Sequence, residues 1–337
     1  MDSSDYTRYR PLLFSIAYRM TGSVSDAEDI VQEAYLRAAK SAPPATIADA
    51  AKATGARNPK AYLATITTRV AIDHLRSARV RRESYIGTWL PEPLLGGSGV
   101  DRLSLTDGGP GPAELAETSD SLSMAFLVLL ESLSPPERAV FLLREVFGYA
   151  YPEIAEATGK SEPACRQIFA RARRRIDEGR PRFGTSRAEG EELTSLFQAA
   201  AHGGDMRRLF ERLAPDVLLF GDSGGLGEVT FIAPVTGRDR VAEVVRVQLA
   251  RTMEQGASLQ GAWVNGQPGL LARDADGGLI AVIALDVLEG QVPGHPDGRQ
   301  PGETPPPRLH LPDLAPALER RRRKERLGVT PRRAAAS

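Results

Sequence analysis

The groups best suited to grip a polyanion lie between Lys160 and Ile176. Lys160, Arg166, Arg171, Arg173, Arg174 and Arg175 face a single acid, Glu162, in a 337-residue chain whose 43 basic and 43 acidic residues cancel overall. The charge is therefore a local patch. Cys165, Ile168, Phe169, Ala172 and Ile176 recur at helical spacing and predict an inner face. Ser161, Glu162 and Pro163 fit a helix start. The arginines are left to hold phosphates, with Arg166 or Gln167 placed to read base edges.

Two elements must position that helix. Ser134, Pro135, Pro136 and Glu137 predict a capping box, followed by a buried stripe of Ala139, Leu142, Leu143, Val146 and Phe147 that ends at Gly148. Pro152 opens a short helix carrying Ile154, Ala155 and Thr158, and Gly159 supplies the turn. Helix, short helix, Gly turn and basic helix together predict a helix-turn-helix that binds DNA.

A second basic strip runs from Arg57 to Arg82, with seven Lys or Arg against Asp73 alone. Asn58, Tyr62, Thr67 and His74 interleave with Lys60, Arg69, Arg76 and Arg79, a mixture suited to unstacked single-stranded bases. Asp73 beside His74 has no further catalytic partner nearby, and pairing of Asp73 with neighbouring arginines is the simpler expectation. Upstream, Asp26–Ala39 is predicted as an amphipathic helix. Ala27, Ile30, Val31, Ala34, Tyr35 and Ala38 face inward, and Asp26, Glu28, Asp29, Gln32 and Glu33 face outward. Such a face either keeps the helix soluble or docks a basic partner.

Composition bounds the rest. One cysteine, Cys165, excludes a disulfide framework and any multi-cysteine metal site. No 18-residue apolar run and no signal-peptide pattern is present, so a reduced cytoplasm is the expected compartment, with no membrane partner. Residues 86–112 are rich in Gly and Pro. Residues 188–290 mix strand-like runs (Val217–Phe220, Val229–Ile232, Leu279–Leu288) with helices at 189–201 and 238–253. Eight prolines between Val292 and Pro316 and a basic run at Arg320–Arg326 predict a tail without a packed core.

The order DAEDIVQEAYLRA at 26–38, NPKAYLATITTRVAIDHLRS at 58–77, and the helix-turn-helix from Leu133 resembles bacterial sigma factors of the extracytoplasmic-function type. Trp89-Leu90-Pro91-Glu92-Pro93 resembles the linker signature of a subgroup with a fused SnoaL-like domain. Phe220-Gly221-Asp222-Ser223-Gly224-Gly225 resembles that subgroup's Gly-rich loop, with Ser223 replacing a glycine. The resemblance implies a multidomain chain. Two all-α modules (sigma region 2 at 5–85 and region 4 at 113–180) flank the linker 86–112. An α+β cone of the SnoaL-like, nuclear-transport-factor-2-like type follows at 188–290, then the tail 291–337.

It also implies roles. Asp26, Glu28, Asp29, Gln32 and Glu33 would bind the β′ clamp helices of core RNA polymerase, and region 4 would meet the β flap. Asn58, Lys60, Tyr62, Arg69, Asp73, His74, Arg76 and Arg79 would read the −10 element. Ser161, Glu162, Pro163, Arg166, Gln167, Arg171 and Arg174 would read the −35 element. Trp89–Pro93, Asp222, Gly224 and Gly225 would carry regulation through contact between the fused domain and the sigma regions. No cofactor, metal or catalytic residue is expected.

Three departures stand out. The insertion Ser41–Arg57 is long, Ala164 replaces a common Asn, and Pro293–Gly298 offers only a faint counterpart of the segment that closes the cone. Two other classes remain open. One is a duplex-DNA regulator that works without polymerase. The other is an enzyme of the cone fold with a DNA-binding front end, using Asp222 as base and His202 as its nearest histidine.

Overall fold

The structure is a computed structural model and describes residues 3–40, 51, 58–83, 89–96, 121–179, 187–203, 206–213, 215, 217–222, 234–285 and 308–310. The calls on Val229–Ile232, Ser223, Gly224, Gly225 and the Ser41–Arg57 insertion, apart from Ala51, lie outside these residues.

Helices α1 (Ser3–Thr21), α2 (Val24–Lys40) and α3 (Pro59–Glu83) form the first unit. Helix α2 buries Ala27, Ile30, Val31, Ala34 and Ala38, the stripe that the sequence periodicity marks out. These pack on Leu13, Phe14, Ala17 and Tyr18 of α1 and on Leu63, Ala64, Val70 and Leu75 of α3.

The second unit comprises α4 (Met124–Leu130), α5 (Pro135–Glu145), α6 (Tyr151–Thr158) and α7 (Glu162–Gly179). The Glu137 carboxylate accepts from the Ser134 amide at 3.0 Å and hydroxyl at 2.7 Å, and these bonds hold its carboxyl below the usual range. Gly159 ends α6 at φ +66°, a left-handed turn that a β-carbon would strain. Cys165, Ile168, Ala172 and Ile176 of α7 are buried as the spacing predicts. The two units share one hydrophobic core: Phe126, Phe141, Leu142 and Ile176 lie in the same cluster as Phe14 and Leu63.

The C-terminal body begins with α8 (Arg187–Ala201) and α9 (Met206–Arg212). Strands β1 (Leu218–Phe220) and β2 (Val235–Thr236) follow, then α10 (Arg238–Glu254) and strands β3 (Ser258–Val264), β4 (Gln267–Arg273), β5 (Leu279–Leu285) and β6 (Arg308–His310). The sheet order is β2-β1-β6-β5-β4-β3, antiparallel throughout except for β1 beside β6. Strand β6 corrects the reading of 291–337 as an unstructured tail. Arg308, Leu309 and His310 pair with β1 and β5 and supply the closing strand that the proline-rich sequence hides.

Both faces of this sheet are covered. Leu270, Ala272, Ile283 and Leu285 meet Phe197, Leu209, Val241 and Val245 of the helices. Val264, Leu271, Val282 and Ala284 meet Met124, the first residue of α4. Burial on both sides explains why Ala281–Leu285 reads as one apolar run without alternation.

Candidate docking and nucleic-acid interface

Helix α2 carries the five acidic-face candidates, and they separate into two groups. Asp26 lies 3.2 Å from His74 Nε2 on α3, Glu28 pairs with Arg10, and Glu33 pairs with Arg37 at 2.8 Å. Asp29 and Gln32 are exposed, and no ion pair reaches Asp29 among the described residues. One turn further, at the 3-then-4 spacing of a single stripe, Leu36 is 45% exposed. Leu36 escapes the sequence reading because periodicity predicts only which residues face inward. An apolar residue on the outer face is the signal that would have found it.

On α3 the −10 candidates are placed unevenly. Asn58 Oδ1 accepts the Ala61 amide at 2.8 Å, so its side chain caps the helix. Tyr62 is only 5% exposed and its ring is built into the core, which corrects the reading of it as an open stacking platform in this conformation. His74 faces Asp26 rather than open solvent. Lys60, Asp73 and Arg76 are exposed, the last two as a loose pair at 3.8 Å. Arg69 Nη2 donates to the Glu156 carbonyl of α6 at 2.6 Å, so the helix-turn-helix rests on the −10 helix. The side chain of Arg79 lies outside the described residues.

On α7, Arg166 pairs with Glu162 at 3.1 Å and lies 4.7 Å above the Tyr151 ring. Arg144 of α5 lies 5.0 Å from the same ring, so two guanidinium groups are gathered at the start of α6. Arg144 and Tyr151 carry no sequence signal of their own, since neither lies in the basic run. Arg173 leans on Asp177 at 3.6 Å, and Arg175 donates to the Ser132 carbonyl at 3.1 Å. The Ser161 hydroxyl accepts from the Ala164 amide at a long 3.4 Å. Pro163, Gln167, Ala170 and Arg174 form the stripe opposite the buried face, flanked by Arg171, and all five are exposed.

The linker segment Trp89–Gly96 is held from two sides. The Leu90 amide donates to Asp222 Oδ2 at 2.8 Å, which assigns that carboxylate to backbone capping rather than to an open pocket. The Glu92 amide donates to the Gly22 carbonyl at 2.7 Å, and Glu92 Oε2 accepts the Val24 amide at 2.7 Å. The Glu92 carbonyl accepts the Tyr18 hydroxyl at 2.6 Å. Leu94 exchanges two bonds with Asn265: its amide reaches Oδ1 at 2.7 Å and its carbonyl accepts the Asn265 amide at 2.8 Å. The Gly96 amide donates to the Trp263 carbonyl at 2.7 Å. The linker thus bonds alternately to the cone and to the first helical unit.

Asn265 sits at the β3–β4 turn with φ +52° and is fully buried. Its Nδ2 donates to the Tyr18 hydroxyl at 2.8 Å and to the Leu122 carbonyl at 2.9 Å. Burial drives the Tyr18 phenol well above its ordinary pKa, so it stays a neutral donor. Two buried arginines complete the junction. Arg19 donates to Ser15 and to the Ser121 carbonyl (3.2 Å) and hydroxyl (2.9 Å), and burial pushes it down to about 9. Arg138 donates to the Met20 carbonyl at the end of α1 and to Glu131 at 3.0 Å. Neither residue stands out in sequence, because each is one arginine among many. Among the described residues no helix is long and apolar enough to cross a membrane, and no group of three acidic, His or Cys side chains is placed to hold a metal.

Comparison with known proteins gives two family matches, Sigma-70 region 2 over residues 5–81 and Sigma-70 region 4 over residues 123–176. The chain is 38% identical over 304 residues to the ECF RNA polymerase sigma factor SigJ of Mycobacterium tuberculosis, covering 87% of this chain and 89% of that protein. It is 32% identical over 292 residues to the probable ECF RNA polymerase sigma factor SigI of the same organism, covering 86% and 90%. The crystal structure of M. tuberculosis SigJ superposes with a TM-score of 0.67 at 30% identity, over 93% of this chain and 97% of that one.

Proposed function

The chain belongs to the ECF RNA polymerase sigma factors and directs promoter-specific initiation of transcription, and from that premise we propose that its fused SnoaL-like domain regulates it in cis by holding the linker. Region 2 binds core polymerase and the −10 element, and region 4 binds the −35 element. In this reading the core-binding stripe is Asp29, Gln32 and Leu36, with Asp26, Glu28 and Glu33 shaping α2. Lys60, Arg69, Asp73 and Arg76 face the −10 strand once α6 leaves. The −35 bases are read by Gln167 with Pro163 and Ala170 beside it, while Arg171 and Arg174 hold phosphates and Arg166 braces Tyr151. The protein works by binding and needs no catalytic step of its own.

The observation that carries the regulatory reading is the linker Trp89–Gly96, bonded to Asp222, Asn265 and Trp263 of the cone and to Gly22 and Val24 of region 2. The linker cannot follow the polymerase while those bonds stand. Run-off transcription with core polymerase and the full chain tests the assignment. Output should require the chain. Gln167→Ala should cost about 1–3 kcal/mol at the cognate −35 element and relax its base preference. Arg174→Ala should weaken all duplexes alike and reduce the salt slope by about 1. Unchanged −35 preference in Gln167→Ala would remove that residue from base reading.

A further inference from the structure

We infer that α7 selects an adenine at the base pair facing Gln167, with thymine methyl groups against Pro163 and Ala170 on either side. The inference rests on the assignment of Gln167 to base reading above.

Three observations carry it. First, on the outer stripe of Pro163, Gln167, Ala170 and Arg174, Gln167 alone ends in both a donor and an acceptor, and it is exposed. Adenine offers the matching pair in the major groove, an N7 acceptor beside an N6 donor. Guanine offers two acceptors, so the Gln167 carbonyl oxygen would face O6 with no proton between them.

Second, the neighbouring arginine is engaged elsewhere. Arginine on guanine O6 and N7 is the commonest specific contact in the groove. Arg166 is the adjacent candidate, but it pairs with Glu162 at 3.1 Å and lies 4.7 Å from the Tyr151 ring. That ring is itself set edge-on against Phe169, with centroids 6.4 Å apart. The Ser161 hydroxyl is turned to the Ala164 amide. The first two turns of α7 therefore present the Gln167 amide to base edges.

Third, its neighbours on the stripe offer only carbon. Pro163 has no amide N–H and Ala170 ends in a methyl group, and both are exposed. At 1.5 Å per residue they stand about 6 Å and about 4.5 Å from Gln167 along the axis, within about two base-pair rises of 3.4 Å. The thymine C5 methyl is the apolar group that base edges present in this groove. Arg174 follows one turn after Ala170, where its charge reaches the backbone rather than the read bases. Apolar, amide, apolar and cationic groups along one stripe match an A·T core bounded by phosphate.

The test uses holoenzyme assembled from core polymerase and the full chain. It is offered a random duplex library, and the retained DNA is sequenced. The wild type should enrich an A·T pair that Gln167→Ala loses while the other positions stand. Gln167→Arg should replace that adenine by guanine. Arg166→Ala should keep the adenine. In the selected duplex, deoxyuridine in place of a flanking thymine removes only the methyl group and should weaken binding about fourfold, the worth of one buried carbon. Ala170→Gly should abolish that difference at its own thymine. A G·C pair at the position disturbed by Gln167→Ala would overturn the inference while leaving Gln167 a base reader. Equal binding of the thymine and deoxyuridine duplexes would overturn the flanking contacts. Unchanged selection by Gln167→Ala at every position would remove the base-reading assignment and the inference with it.

Discussion

Core-polymerase binding is expected to fall by at least about a hundredfold when Asp29 and Leu36 are replaced together by Lys and Asp. Two residues at the centre of a docking patch commonly contribute about 2 kcal/mol each, and placing Lys against a basic partner adds repulsion. The control is Glu33→Lys. Glu33 is held by Arg37 in an exposed i,i+4 pair, which is worth under about 1 kcal/mol. It should cost no more than about fivefold. Anisotropy of the labelled chain against core polymerase separates the two, with near-ultraviolet circular dichroism confirming an intact fold. Equal losses in both variants would mean that the acidic face acts as a diffuse field without a central stripe.

The largest loss of stability is expected at Gly269. A β-carbon there would stand 2.4 Å from the Ile283 carbonyl and 2.7 Å from Val264 Cγ2. The first neighbour is backbone of the paired strand, so the sheet itself must move. Gly269→Ala should cost about 3 kcal/mol, at the upper end of overpacking, and lower the melting of the C-terminal body by roughly 10 °C or more. Val264 adjoins Asn265, so the displacement should also loosen the junction. A melting temperature within about 2 °C of wild type would show that the strands accommodate the methyl group.

The two expectations differ in how far the sequence reveals them. The buried face of α2 follows from period-3.6 spacing, which leaves Asp29 and Gln32 outward but does not mark Leu36, and the helix-turn-helix follows from capping residues, Gly159 and local charge. Both are local signals. Strands β3 and β4 escape the sequence reading, although Asn265-Gly266 between them is a strong two-residue hairpin signal and forms that turn here. The signal is masked on the β4 side, where the strand is buried on both faces and does not alternate in polarity. Strand β6 is hidden by the prolines on either side of it, Pro305–Pro307 and Pro312. The bonds of Asn265 to Leu122, Leu94 and Tyr18 span 143, 171 and 247 residues, and no local pattern encodes such contacts. The same holds for Arg19 and Ser121, 102 residues apart. Tyr62 shows the converse: its type and charged surroundings suit nucleic-acid stacking, but the helix phase turns its ring into the core.

The regulatory claim can be tested by fixing the linker in place. Leu95 and Val264 form an isolated antiparallel bridge between linker and cone. Such pairs have Cα separations of about 4.5–5.5 Å, within the range a disulfide spans. Leu95→Cys with Val264→Cys should oxidise readily, and Cys165 is buried elsewhere in the helix-turn-helix core. Run-off transcription with core polymerase, measured before and after reduction of the purified double variant, is the decisive measurement. Holding of the linker by the fused domain predicts that the oxidised chain still binds core but yields no transcript above background, and that reduction restores output. Equal transcription from the oxidised and reduced chains would contradict it.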